Sequence, residues 1–178
     1  MESVRMKMII TLVLLSTLAF SKITLPVSFS ANFEQSVTNA KKKKITYSGK
    51  LKFSKKNGIQ WHYSKPTKKD VCSDKKYLTI VDHDLEQVSY YELKKSIDLD
   101  KIIANAKLHR KSVYTAKYNE KEYTIQVDSK ERLSRIAYFD ELENTVLLIF
   151  TNVKYSNKEI PKSQLECHTP EYYDAING

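Results

Sequence analysis

Glycine is scarce in this chain of 178 residues: three occur, beside four prolines, two cysteines and a single tryptophan. No Gly-rich phosphate loop, low-complexity stretch or internal linker can be built from so few. The sequence has no CxxC or HxxxH spacing, so a metal site is not expected. It also lacks G-x-S-x-G, H-E-x-x-H and P-loop patterns. The four histidines, His62, His83, His109 and His168, are scattered, and none is spaced with a nucleophile. The run "DHD" at 82–84 falls between two strand patterns, where turn composition makes it a polar turn. These absences argue against an enzyme, a cofactor and a metal. The basic residues lack the Gly-rich or aromatic–basic motif of a nucleic-acid module, so no nucleic-acid partner is expected either.

Long apolar runs are also missing, with one exception. Arg5 and Lys7 precede "MIITLVLLSTLAF" (8–20), which is followed by Ser21 and Lys22. A basic leader, a short apolar core and small residues at −3 and −1 (Ala19 and Ser21) form a secretory signal peptide, 1–21. The run is shorter than the roughly 20 apolar residues of a membrane span. An uncleaved N-terminal anchor is the alternative. No cysteine stands near the cut to take a lipid. Removal of 1–21 leaves 157 residues (178 − 21), the size of one domain, 22–178. The leader carries two of the 30 basic residues and one of the 21 acidic ones, so the mature chain holds 28 against 20, a net +8. That balance favours anionic partners such as lipid head groups or acidic protein faces, or it serves only as a solvated surface. Cys72 and Cys167 stand 95 positions apart (167 − 72). Export permits a disulfide between them, but spacing does not declare one.

What is abundant is period-two alternation. "FSANFEQSV" puts Phe29, Ala31, Phe33, Gln35 and Val37 on one side. "ITYSGKLKF" does the same with Ile45, Tyr47, Gly49, Leu51 and Phe53, opposite Thr46, Ser48, Lys50 and Lys52. An Asn-Gly turn at 57–58 leads into "IQWHY", where Ile59, Trp61 and Tyr63 resume the apolar side. Short strands follow at "DVC", "YLTIVD", "EQVSYYEL", "SVYTAKY", "KEYTIQVD", "LSRIAYFD" and "NTVLLIFTNVKY". One stretch departs from this. "DLDKIIANAKLH" (98–109) spaces Leu99, Ile102, Ile103 and Ala106 at i, i+3, i+4 and i+7, which predicts a helix with Asp98 as its N-cap. The expected architecture is mainly β: a meandering antiparallel sheet curled toward a barrel, with the inserted helix against its concave face. The stripe of Ile59, Trp61 and Tyr63 is then either an ordinary core face or the wall of a pocket for an apolar ligand.

The order of several short motifs resembles the periplasmic carriers of outer-membrane lipoproteins (LolA-type). Phe33 and Gln35 match the family's F-x-Q, Gly49 and Leu51 its Gly-x-Leu, and Trp61, Tyr63 and Pro66 its aromatic-centred segment. Ser73, Asp74, Lys76, Glu86, Gln87 and Val88 match the segment that follows, and "LECHTPEYYDAI", with Pro170, resembles the closing strand. There are departures. Lys75 stands where the family commonly has Gly. Lys55 stands at the lid-holding Arg, with Lys56 in place of Pro. The usual long first helix is reduced to "ITLPV" (23–27), interrupted by Pro26. Lysine lacks the planar fork of arginine, which implies a weaker lid latch at Lys55.

The resemblance implies an incomplete, unclosed antiparallel β-barrel with a short α-helical lid over the concave apolar face. It implies a cavity wall of Leu51, Phe53, Ile59, Trp61 and Tyr63, a lid of Leu99, Ile102 and Ile103, and a latch at Lys55. It further implies a monomeric periplasmic chaperone that binds the acyl chains of lipoproteins. Its partners would be acylated lipoproteins, an inner-membrane ABC lipoprotein exporter and an outer-membrane acceptor. A lipid- or lipoprotein-sensing module on the same fold, or a basic binding module, is the alternative.

Overall fold

Alternating side chains build the sheet that these patterns predict. A computed structural model describes residues 22–93 and 98–177; the expected leader, 1–21, lies outside the described residues. The strands are β1 (Ser28–Thr38), β2 (Lys44–Ser54), β3 (Gly58–Lys65), β4 (Lys69–Ser73), β5 (Tyr77–Asp82) and β6 (Gln87–Glu92). The helix α1 (Leu99–Ala104) follows, then β7 (Lys107–Arg110), β8 (Val113–Tyr118), β9 (Lys121–Val127), β10 (Leu133–Phe139), β11 (Thr145–Ser156) and β12 (Asp174–Asn177). They form one sheet in the order β12-β6-β5-β4-β3-β2-β1-β11-β10-β9-β8-β7. Two sequential meanders therefore meet at the β1–β11 seam, where Phe33 lies opposite Phe150 and Gln35 opposite Leu148. All pairings are antiparallel except that of β12 with β6.

The sheet is curled but not closed. Trp61 on β3 and Phe150 on β11 are three ladder steps apart, roughly 14 Å in a flat sheet at about 4.8 Å per step. Their rings nevertheless lie 6.3 Å apart. Curling of this kind brings one face of both meanders together around a core that includes Phe29, Leu51, Phe53, Tyr114, Ile125 and Leu133. The sheet ends at β7 and β12, and α1 falls in the chain between β6 and β7, at opposite ends of the sheet.

Two motif residues have steric reasons. A Cβ on Gly49 would sit 1.9 Å from the His62 carbonyl oxygen and 2.9 Å from the Phe33 ring, so this bulge in the β2–β3 pairing admits no side chain. Gly58, at φ +111°, turns β2 into β3 in a conformation L side chains rarely adopt. Lys75, the departure from the family's glycine, takes the left-handed conformation at φ +76°. Asp74 beside it accepts hydrogen bonds from the backbone of Lys76 and Tyr77, which fixes that turn.

The helix is shorter than its periodicity predicts. It spans Leu99–Ala104, with Asn105 as C-cap, rather than 98–109. Ala106 is buried as the stripe requires, but Lys107–Arg110 form β7 against β8, where pairing covers the backbone edge of β8 that a longer helix would leave open. Residues 23–27 form no helix; Ile23 joins the core directly.

After β11 the chain crosses the opposite, outer face of the sheet. Ser28 donates to the Lys158 carbonyl, Ser54 bonds Glu159, Asn57 donates to the Ile160 carbonyl and Gln60 to that of Glu166. A Cys72–Cys167 disulfide fastens this strap to β4, settling what the spacing left open. At its far end the Tyr173 hydroxyl meets His83, which with His62 flanks the carboxylate of Asp70.

Candidate functional site: a roofed apolar cavity

Beneath α1 the curled face leaves a cavity of about 360 Å³. One wall comes from the first meander: Ile59, Trp61 and Tyr63 of β3, Val71 and Ser73 of β4, and Leu78 of β5. The other comes from Tyr123 of β9, Ile136 and Tyr138 of β10, and Leu148 and Phe150 of β11, with Gln35 at the seam and Leu93 after β6. Leu99 and Ile102 of α1 supply the roof. Of the expected cavity residues, Ile59, Trp61 and Tyr63 border the space. Leu51 and Phe53 lie below it in the packed core, where Phe53 meets the Phe29 ring at 5.1 Å. Of the expected lid residues, Leu99 and Ile102 border the space and Ile103 is buried in the core cluster beside it.

The motif residues of separate strands meet here. Phe33 stands edge-on to both Trp61 and Tyr63, at 4.9 Å in each case, a preferred aromatic geometry. Tyr63 donates its hydroxyl to Gln35 Oε1 at 2.9 Å. The F-x-Q and W-x-Y segments are thus one contact set, and their polar atoms satisfy each other within an apolar wall. Burial pushes the Tyr63 phenol far above its ordinary value, with neighbouring Tyr138 and Tyr47 adding to it. Burial likewise pushes Tyr138 up to about 12, helped by Tyr123 and Asp140. Among the described residues, tyrosine is the only ionisable type lining the cavity. No carboxylate, imidazole or amine is placed for proton transfer there. What the arrangement can do is remove an apolar ligand from water, worth about 8 kcal/mol for every ten methylenes buried.

The roof is lightly held. Asp98 caps it, accepting from the Asp100 and Lys101 backbone at 3.1 and 3.2 Å. Lys55, at the end of β2, reaches Asp100 with Nζ–Oδ1 at 3.5 Å, and their side chains are 54% and 30% exposed. A monodentate pair so exposed contributes under about 1 kcal/mol. Apart from this pair, α1 rests on the buried side chains of Leu99, Ile102 and Ile103.

An unclosed antiparallel sheet that curls around a helix-roofed apolar cavity is the class this geometry defines. A solved structure of an uncharacterized conserved protein from Thermus thermophilus shares the fold, with a TM-score of 0.53 at 11% identity, over 86% of this chain and 92% of that one. The family model "Outer membrane lipoprotein carrier protein LolA" matches residues 27–113. An outer-membrane lipoprotein carrier protein of Campylobacter jejuni is 35% identical over 149 residues, 84% of this chain and 86% of that protein. One from Wolinella succinogenes is 29% identical over 71% of this chain and 74% of its own. The chain belongs to the LolA family of outer-membrane lipoprotein carrier proteins.

The far wall of the cavity was not among the expected site residues. Tyr123, Ile136, Tyr138, Leu148 and Phe150 alternate within their strands, and that signal was present. Nothing local says that β9–β11 face β3 across a cavity rather than pack onto it.

Proposed function

We propose that this protein is a periplasmic chaperone that takes lipoproteins released from the inner membrane by an ABC exporter, shields their acyl chains and passes them to an outer-membrane acceptor. The observation that carries this reading is the cavity itself, whose apolar lining is roofed by a six-residue helix held by three side chains, a cap and one exposed ion pair. A core has no reason to leave such a space under so weakly attached an element. At about 360 Å³ the space is near the low end of ligand pockets, about 300–1,000 Å³. A long acyl chain therefore displaces Leu99 and Ile102 and takes over their contacts with Trp61 and its neighbours. Uptake and release both require that the roofed and loaded states differ little in free energy. The mature chain, 22–178, follows from cleavage after Ser21.

Transfer decides the reading. Spheroplasts that retain a labelled lipoprotein are incubated with the purified protein, and the label is followed into the soluble fraction and then into outer-membrane vesicles. Release that depends on the protein, together with co-purifying acyl lipid, supports a carrier. Absence of both, with the chain binding no acyl probe, would leave the cavity a packing defect. N-terminal sequencing of the exported protein checks the cleavage, and a chain retaining Met1 in the membrane would overturn the periplasmic assignment.

A further inference from the structure

Two hairpin turns lie side by side at one end of the sheet. β2, β1, β11 and β10 are consecutive neighbours, and Lys44, Thr38, Thr145 and Phe139 are opposite one another across them. The β1–β2 turn, residues 39–43, carries Lys41, Lys42 and Lys43, and Lys44 opens β2, followed by Ile45, which is 54% exposed. Asn39 holds this turn: its backbone N–H reaches the Lys43 carbonyl, its carbonyl accepts from Lys42 and its side-chain oxygen accepts from Lys43. The lysines are therefore displayed on a fixed loop. Among the described residues none of the four has a carboxylate within ion-pair distance, whereas Lys55, Lys69, Lys101, Lys121 and Lys162 all do.

The adjoining β10–β11 hairpin carries Phe139, 62% exposed, at the end of β10 and Leu142, 82% exposed, in its turn. Its three carboxylates, Asp140, Glu141 and Glu143, carry negative charge but are fewer than the lysines at this end, which include Lys121 beside Glu141. Asp140 accepts from the Leu142 and Asn144 backbone and from the Asn144 side chain, and Glu141 pairs with Lys121 at 3.3 Å. Glu143 is left to solvent. One end of the molecule thus combines four lysines that have no ion pair among the described residues with two exposed apolar side chains. These are the two halves of an interfacial membrane contact, charge for phosphates and apolar tips for the head-group boundary.

We propose that this end, formed by the Lys41–Lys44 segment and the Phe139–Leu142 segment, docks on the surface of an anionic lipid bilayer. An acidic protein face would account for the lysines. A leucine 82% exposed in a hairpin turn fits lipid better. The inference does not depend on the carrier reading, because it rests on the two turns and not on the cavity.

The test is co-sedimentation of the exported, full mature protein with phosphatidylcholine vesicles, with and without phosphatidylglycerol. Binding is expected only with the anionic lipid, and is expected to weaken as salt shortens the Debye length. Each lysine contributes roughly a fivefold factor near such a surface. Lys42→Gln with Lys43→Gln should therefore lower partitioning roughly twenty-five-fold. Leu142→Ser should lower it severalfold at unchanged charge, with thermal unfolding and Trp61 emission like wild type in both variants. Partitioning equal in wild type and variants would overturn the proposal. So would failure to bind anionic vesicles, including the case where an acidic soluble protein is still bound through the same lysines. Acyl transfer is scored separately, so loss of one result leaves the other readable.

Discussion

Replacing Ile102 by aspartate distinguishes a movable roof from a fixed core. Ile102 is 1% exposed, and a carboxylate in its place would cost several kcal/mol if it stayed there. Release of α1 in the wild type exposes Leu99, Ile102 and Ile103, at about 1.5–3 kcal/mol each, or about 4.5–9 in all. The Asp98 cap and the Lys55–Asp100 pair each add about 1 kcal/mol or less. Against this, six helical residues regain backbone freedom at about 1–2 kcal/mol each, or about 6–12. The opposing sums are of similar size, so the released state is accessible, and Ile102→Asp removes one of the contacts that oppose it. The variant should keep a cooperative melt with a stability loss of at most about 2–3 kcal/mol, because release of the helix relieves the buried charge. Trp61 emission should move red as water enters, and affinity for a fluorescent fatty acid should rise. Ile125→Asp is the contrast. Ile125 is wholly buried on β9, paired on both sides, and no element can swing away to relieve it, so this variant should not fold. Loss of the fold in Ile102→Asp as complete as in Ile125→Asp would refute the reasoning, as would unchanged Trp61 emission.

Lys55→Arg should hold Asp100 more firmly and slow probe uptake, while Lys55→Ala should speed it; stopped-flow fluorescence measures both, and stability should change by under about 1 kcal/mol. Substituting both Cys72 and Cys167 by serine opens a covalent loop spanning 95 residues and should lower the unfolding free energy by about 4 kcal/mol in urea titration. Probe affinity should not move, because the strap lies on the face opposite the cavity. The buried Tyr138 phenol, pushed up from 10.0 to about 12, favours its neutral form in the folded state. Its stabilising contribution is complete below pH 10 and is lost as pH rises toward 12, and Tyr63, shifted the same way, extends that loss. Phenolate absorbance should therefore show these tyrosines ionising together with unfolding rather than before it.

The strands were legible because a half-buried strand writes its face into every second residue, as Phe29, Ala31 and Phe33 do. Helix α1 was legible in its stripe but not in its end, since Ala106 continues the spacing while Lys107–Arg110 are taken by β8. The cavity was half legible. Alternation places Leu51, Phe53, Ile59, Trp61 and Tyr63 on one face, yet whether a side chain on that face borders empty space depends on what arrives from distant strands. Phe29 fills the room beside Phe53, and among the described residues no side chain fills it between Trp61 and Ile136. The Cys72–Cys167 pair had no local signal, because the strap that brings Cys167 to β4 follows β11 with no periodicity of its own.

A closed barrel has a girth fixed by its strand number and stagger, and it can widen only by breaking a ladder. Here the circumference is open, ending at β7 and β12, with the short helix standing in the chain where a ladder would otherwise complete it. On the proposed carrier reading the aperture would grow by side chains sliding past one another under α1, with every strand still paired to its neighbours. On that reading, cargo of different bulk would meet one protein at different degrees of dilation, and choice among cargoes would rest with whatever hands them over.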